Sequence, residues 1–136
     1  MGIPDFQSVM LPLLKFASDR KEHSSRESIE YLSQEFNLTE DDRKKLLPSG
    51  TQAVFDNRVG WSRTYLKKAG LLESKKRGYF NITEEGLKVL EQNLNKINID
   101  FLMQFPGYVE FRTGKLNKDK TIQKNPKEDI TPEEAL

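Results

Sequence analysis

The sequence predicts a mostly α domain with one small β-hairpin, on three observations. Caps and apolar residues at three- and four-residue spacing mark a succession of helices from Asp5 onward. After Gly70 the period changes, and two short strings, Leu71-Leu-Glu-Ser74 and Tyr79-Phe-Asn-Ile82, flank a turn-like Lys75-Lys76-Arg77-Gly78. Hydrophobic residues are 35% of the 136 and charged residues 32%, which allows one modest core and leaves part of the chain outside it.

Asp5 is the expected N-cap of the first helix, whose Phe6, Val9, Met10, Leu13, Leu14 and Ala17 repeat at helical spacing. Pro12 should kink that helix or restart it. The polar run from Asp19 to His23 ends it. Ser24-Ser-Arg-Glu27 has the form of a capping box, and Ile29, Leu32 and Phe36 follow on one face of a second helix. Thr39-Glu-Asp-Asp42 repeats the cap and opens a short helix expected to reach Leu47. Its acids come first and Arg43, Lys44 and Lys45 last, as the helix dipole favours. Pro48-Ser-Gly50 breaks the chain.

The longest helix is expected from Gln52 to Ala69, with Gly70 as its C′ residue. At about 100° per residue, Trp61, Val54, Tyr65, Ala69, Phe55, Leu66 and Val59 share one arc of about 160°. Gln52, Asp56, Asn57, Gly60, Arg63, Thr64, Lys67 and Lys68 lie opposite. Arg58 falls inside the apolar arc, where an acid, an aromatic ring or a bend at Gly60 would each accommodate it. The shared arc makes Phe55, Trp61 and Tyr65 core residues rather than a base-stacking platform. Thr83-Glu-Glu starts a further helix with Leu87, Val89 and Leu90. Ile97, Ile99, Phe101, Leu102 and Phe105 make a last helical patch, closed by Pro106-Gly107, and Tyr108, Val109 and Phe111 add a packing strip.

Beyond Arg112 the pattern is lost. Between Thr113 and Asp129 the large aliphatics are Leu116 and Ile122, too few to offset ordering entropy of about 1–2 kcal/mol per residue. Residues 1–112 are therefore expected to form the domain and 113–130 a basic flexible linker. Thr131-Pro-Glu-Glu-Ala-Leu136 carries strong helix-start signals and reads as the beginning of a helix leading to a C-terminal domain absent from this chain.

Composition removes several function classes. Zero Cys excludes disulfide scaffolds, Cys-ligated zinc and Cys nucleophiles, and a lone His23 supports neither a His-rich metal cage nor a ready triad. The best apolar run, Met10 to Leu14, is interrupted by Pro12 and stopped by Lys15, far short of the roughly 20 residues a membrane span needs. No secretory signal opens the chain, so a cytoplasmic location is expected, with no membrane partner and no small-molecule substrate. Catalytic residues, metal ligands and cofactors: none are assigned. Pro4-Asp5 with Glu73-Ser74-Lys75 spells the acid and lysine set of many metal-dependent nucleases, but Asp5 reads as a cap and Glu73 as a hairpin residue. His23 beside Ser24 lies in a polar loop, and Ser24 is better used as a cap.

The net charge of +1 hides a segregated layout. Seven basic residues face two acids between Asp56 and Arg77, and six face one between Arg112 and Lys127. Such a layout aims a basic surface at a polyanion. A long helix with a Lys/Arg/Thr/Asn face, followed at once by a hairpin with a basic tip, is the plan of a winged helix-turn-helix, here with extra C-terminal helices. The expected contacts with duplex DNA are Arg63, Thr64, Lys67 and Lys68 on the helix and Lys75, Lys76 and Arg77 on the hairpin, with Asn57 on the same helix face. The plain alternative is a solvated charged face. A different class of function, protein contact or homodimerisation, would be marked by an exposed strip of Phe101, Phe105, Tyr108 and Phe111.

Several strings carry a resemblance. Ile3-Pro-Asp-Phe-Gln7, Met10-Leu-Pro-Leu-Leu14, Leu46-Leu-Pro-Ser-Gly50, Phe55-Asp-Asn-Arg-Val59, Trp61-Ser-Arg-Thr-Tyr-Leu-Lys-Lys-Ala-Gly-Leu-Leu72 and Arg77-Gly-Tyr-Phe-Asn-Ile-Thr83 resemble the N-terminal domain of Mrr-type restriction endonucleases over roughly residues 3–112. The resemblance implies a winged-helix DNA-binding module. It also implies a parent restriction endonuclease whose separate PD-(D/E)xK-type domain cuts DNA bearing modified bases with a divalent metal. That second domain is not in this sequence, so no catalytic residue carries over.

Overall fold

The computed structural model describes residues 3–111. The linker and helix start expected at 113–130 and 131–136 lie outside the described residues. Helix α1 (Phe6–Phe16) begins at its expected cap, the Asp5 carboxylate accepting from the Ser8 amide at 2.7 Å. It continues through Pro12 as one helix rather than restarting there. A 3-10 turn, Ala17–Asp19, leads to a strand that sequence periodicity does not reveal, β1 (His23–Ser24).

Helix α2 (Ser25–Glu35) opens on the Ser24–Glu27 capping box and α3 (Glu40–Lys44) on the corresponding Thr39–Asp42 pair. The latter helix is shorter than expected. It stops at Lys44 because Lys45 turns extended and Leu46 pairs with Ala53 across an isolated β-bridge. That bridge delivers the chain into α4 (Val54–Lys68).

The end of α4 has Schellman geometry. Gly70, at φ 85°, donates to the Lys67 carbonyl while Leu71 donates to that of Leu66. Strands β2 (Leu72–Glu73) and β3 (Tyr79–Ile82) follow, then α5 (Glu84–Leu90) and α6 (Ile99–Leu102). The last helical patch ends before Pro106, α6 stopping at Leu102, but the chain turns helical again there. Residues 106–111 are helical, so Pro106 stands in a first turn, where its missing N–H costs no hydrogen bond.

The described part is thus mostly helical with a small antiparallel sheet of order β1-β3-β2. His23 pairs with Phe80 and Ser24 with Tyr79, while Leu72 pairs with Ile82 and Glu73 with Asn81. This element order is compatible with a winged helix. One core holds it together: Val9, Met10, Leu13 and Leu14 of α1, Phe55, Val59 and Leu66 of α4, and Phe80 of β3 are all fully buried. The most extensive contact is that of α1 with α4. At its centre stands Ser62, fully buried, whose hydroxyl meets the carbonyls of Phe6 and Arg58. A short side chain satisfied by backbone lets the two helices approach closely.

Candidate nucleic-acid interface

Two structural devices fix the hairpin, one against the end of α4 and one against the start of α2. The Thr83 hydroxyl donates to the Gly70 carbonyl at 2.6 Å while capping α5 through the Gly86 amide, and the Thr83 amide donates to Leu71. At the tip, the Gly78 carbonyl accepts from the Ser25 amide at 2.9 Å, and the Ser74 hydroxyl donates to Tyr79 at 2.7 Å. The base of the hairpin is therefore held at the end of α4 and its tip at the start of α2.

Thr64 and Lys67 occupy the outward side of α4, Thr64 half-buried and Lys67 exposed. Lys68 is exposed and its ammonium lies 5.1 Å from the centre of the Phe111 ring. Lys75, Lys76 and Arg77 are all exposed in the hairpin turn. Lys75 reaches the Glu73 carboxylate at 3.9 Å, between two exposed side chains, a pair of little energetic weight. Lys76 stands 4.2 Å over the Tyr79 ring. Arg63, Lys67, Lys68, Lys76 and Arg77 have no carboxylate partner among the described residues.

Three assignments on α4 need correction. Asn57 is buried, at 5% exposure, and its amide donates to Gln52 at 3.2 Å. The strand-like bridge before α4 folds Gln52 back onto the first turn, so Asn57 is not on the outward face. Asp56 is turned towards α2 and α3. Burial raises its pKa, Arg43 and Arg26 oppose that, and its Oδ1 is buried without a hydrogen bond. Arg63 is half-buried rather than exposed, and burial lowers its pKa. It makes no hydrogen bond or ion pair among the described residues.

Other expectations resolve plainly. Backbone holds Arg58 within the apolar arc: its guanidinium donates to the carbonyls of Ile3 and Pro4 at 3.1 and 3.0 Å, anchoring the segment before α1. Trp61 is half-buried, less enclosed than its wheel position implied, and contacts the Tyr65 ring at 5.6 Å. His23 is not in a polar loop. It is buried in β1 between two carboxylates, Asp19 and Glu27, each at 2.9 Å, and against the Phe16 ring. The strip that would have marked a protein-contact surface is absent, because Tyr108 is 2% exposed and Phe101, Phe105 and Phe111 pack on the core. Of the nuclease-like set, Asp5 caps α1 and Glu73 accepts from Asn81 at 2.8 Å. No group of three or more acidic or His side chains that could hold a metal ion occurs among the described residues. No helix there is long and apolar enough to cross a membrane.

The geometry defines a small helical domain with unpaired cations on a helix and on the hairpin that follows it. The chain belongs to the Mrr N-terminal domain family, whose model matches residues 6–92. It is 31% identical over 87 residues to the type IV methyl-directed restriction enzyme EcoKMrr of Escherichia coli (strain K12). The match covers 63% of this chain and 28% of that enzyme. No solved structure matches the chain.

Proposed function

We propose that this domain is a winged helix that binds duplex DNA and, within a cytoplasmic restriction system, positions a separate nuclease domain on modified DNA. The supporting observation is the set of cations without carboxylate partners on α4 and the hairpin, two elements joined by the Gly70 turn and braced by Thr83. In this reading α4 lies in the major groove, with Thr64 and Lys67 turned to it, while Lys75, Lys76 and Arg77 grip the phosphate backbone beside it. Membership of the family, and a relative named as a methyl-directed restriction enzyme, agree with it. The modified base and the nuclease both belong to the reading of the whole protein.

The test is a fluorescence anisotropy titration with a duplex. Replacing Lys75, Lys76 and Arg77 together by Ala should weaken binding at least about a hundredfold near 0.1 M salt, since each lost phosphate contact forfeits about 0.9 of a decade there. The melting temperature should be unchanged, since all three side chains are exposed. Undiminished binding would remove the hairpin from the interface.

A further inference from the structure

Every glycine but one among the described residues has a reason inside its own chain. Gly50, Gly70 and Gly78 have φ of 76°, 85° and 83°. Gly86 and Gly107 are sites of close approach, where a Cβ would stand 2.7 Å from the Ile82 side chain and 2.6 Å from the Lys68 carbonyl. Gly60 has neither reason. It is helical, within the unbroken α4, and a Cβ there would meet nothing within 4 Å.

A glycine inside a helix destabilises it relative to alanine. Nothing among the described residues offsets that penalty at Gly60, so the cleared space points to something outside them. Its place on the helix says where. Gly60, Thr64 and Lys67 follow at i, i+4 and i+7 along the outward side of α4. Arg63, one turn from Gly60, carries a half-buried guanidinium with no anion beside it among the described residues. A cation held by packing and left unpaired is suited to an incoming phosphate.

We propose that Gly60 is the point at which the duplex comes within van der Waals reach of the α4 backbone. It sets how deeply the helix seats, so that Arg63, Thr64 and Lys67 reach the groove and its phosphates at hydrogen-bonding distance. The inference rests on the DNA-binding reading above. A methyl group at this position would hold the helix off its seat and stretch all three contacts together.

Gly60→Ala separates the two consequences, because they have opposite signs. The melting temperature of the free protein should rise by about 4 °C. Duplex affinity should fall at least about tenfold, since an overpacked contact costs that much. A rise in melting temperature with affinity within twofold of wild type overturns the inference. If the hairpin triple variant still loses binding in the same assay, the DNA-binding reading survives that result. A fall in melting temperature overturns it as well, by showing an internal need for the glycine. If the wild-type protein binds no duplex, both readings fail. Sedimentation without DNA completes the test: a wild-type dimer that Gly60→Ala dissociates would assign the cleared space to a second copy of the chain.

Discussion

The region from β1 to α3 and the region from α4 to the hairpin treat their charges in opposite ways. In the first, His23 and Arg43 are matched by acids. His23 sits between Asp19 and Glu27, and Arg43 holds Glu30 at 3.1 Å while also donating to Ser33 at 3.0 Å. In the second, Arg63, Lys67, Lys68, Lys76 and Arg77 have no carboxylate beside them among the described residues. Ion pairs of the first kind hold helices and a strand in register. Unpaired cations add nothing to folding and raise self-repulsion, so their clustering points to a partner that supplies the negative charge. A small domain of nearly balanced charge thus divides its cations between structure and surface.

The comparison breaks if the roles are exchanged. Arg43→Ala should cost about 2 kcal/mol of stability, read by chemical denaturation, because it removes charged hydrogen bonds to Glu30 and Ser33. It also takes away the cation that opposes the raised pKa of the half-buried Asp56. Duplex affinity should stay within twofold. A large loss of affinity without loss of stability would place Arg43 in the interface and erase the division.

A smaller effect sharpens the same division through pH. Burial pulls the His23 pKa down, but hydrogen bonds to Asp19 and Glu27 outweigh it and leave the pKa above its ordinary 6.5. Its contribution to stability is complete below 6.5 and is lost as pH rises through the raised value. Asp19, held low first by the Lys21 amide and then by His23, and Glu27, held low by His23, behave in the opposite sense. Their contributions are complete above about 3.8 and 4.5, and are lost as pH falls through the lowered values. This cluster therefore stabilises most between about 4.5 and 6.5. The melting temperature should fall on either side by a few degrees, and His23→Gln should flatten both limbs. An unchanged profile in that variant would show that the pair with Asp19 and Glu27 does not form.

Much of the fold was legible because it is written locally. Asp5, Ser24 with Glu27, Thr39 with Asp42, Thr83 and Gly70 each act on residues within one turn, and each does so where the spacing predicts. What the sequence hides is contact between distant segments. β1 is two residues long and exists because His23 and Ser24 meet Phe80 and Tyr79. Arg58 looked misplaced because its partners, the carbonyls of Ile3 and Pro4, lie 55 and 54 residues earlier in the chain rather than on its own helix. Asn57 looked exposed because a helical wheel cannot see Leu46 pairing with Ala53 and returning Gln52 over it. Ser62 shows the reverse failure, a polar residue on the buried line of α4. On the candidate surface, the hairpin lysines and arginine were legible from composition and turn signals, whereas the half-burial of Arg63 and the open space at Gly60 required coordinates.

The most direct test of a surface built from unpaired cations is the salt dependence of duplex binding. If Arg63, Lys67, Lys68, Lys75, Lys76 and Arg77 each neutralise a phosphate, the logarithm of the association constant should fall with the logarithm of salt concentration at a slope of about −5. A slope near zero would contradict it.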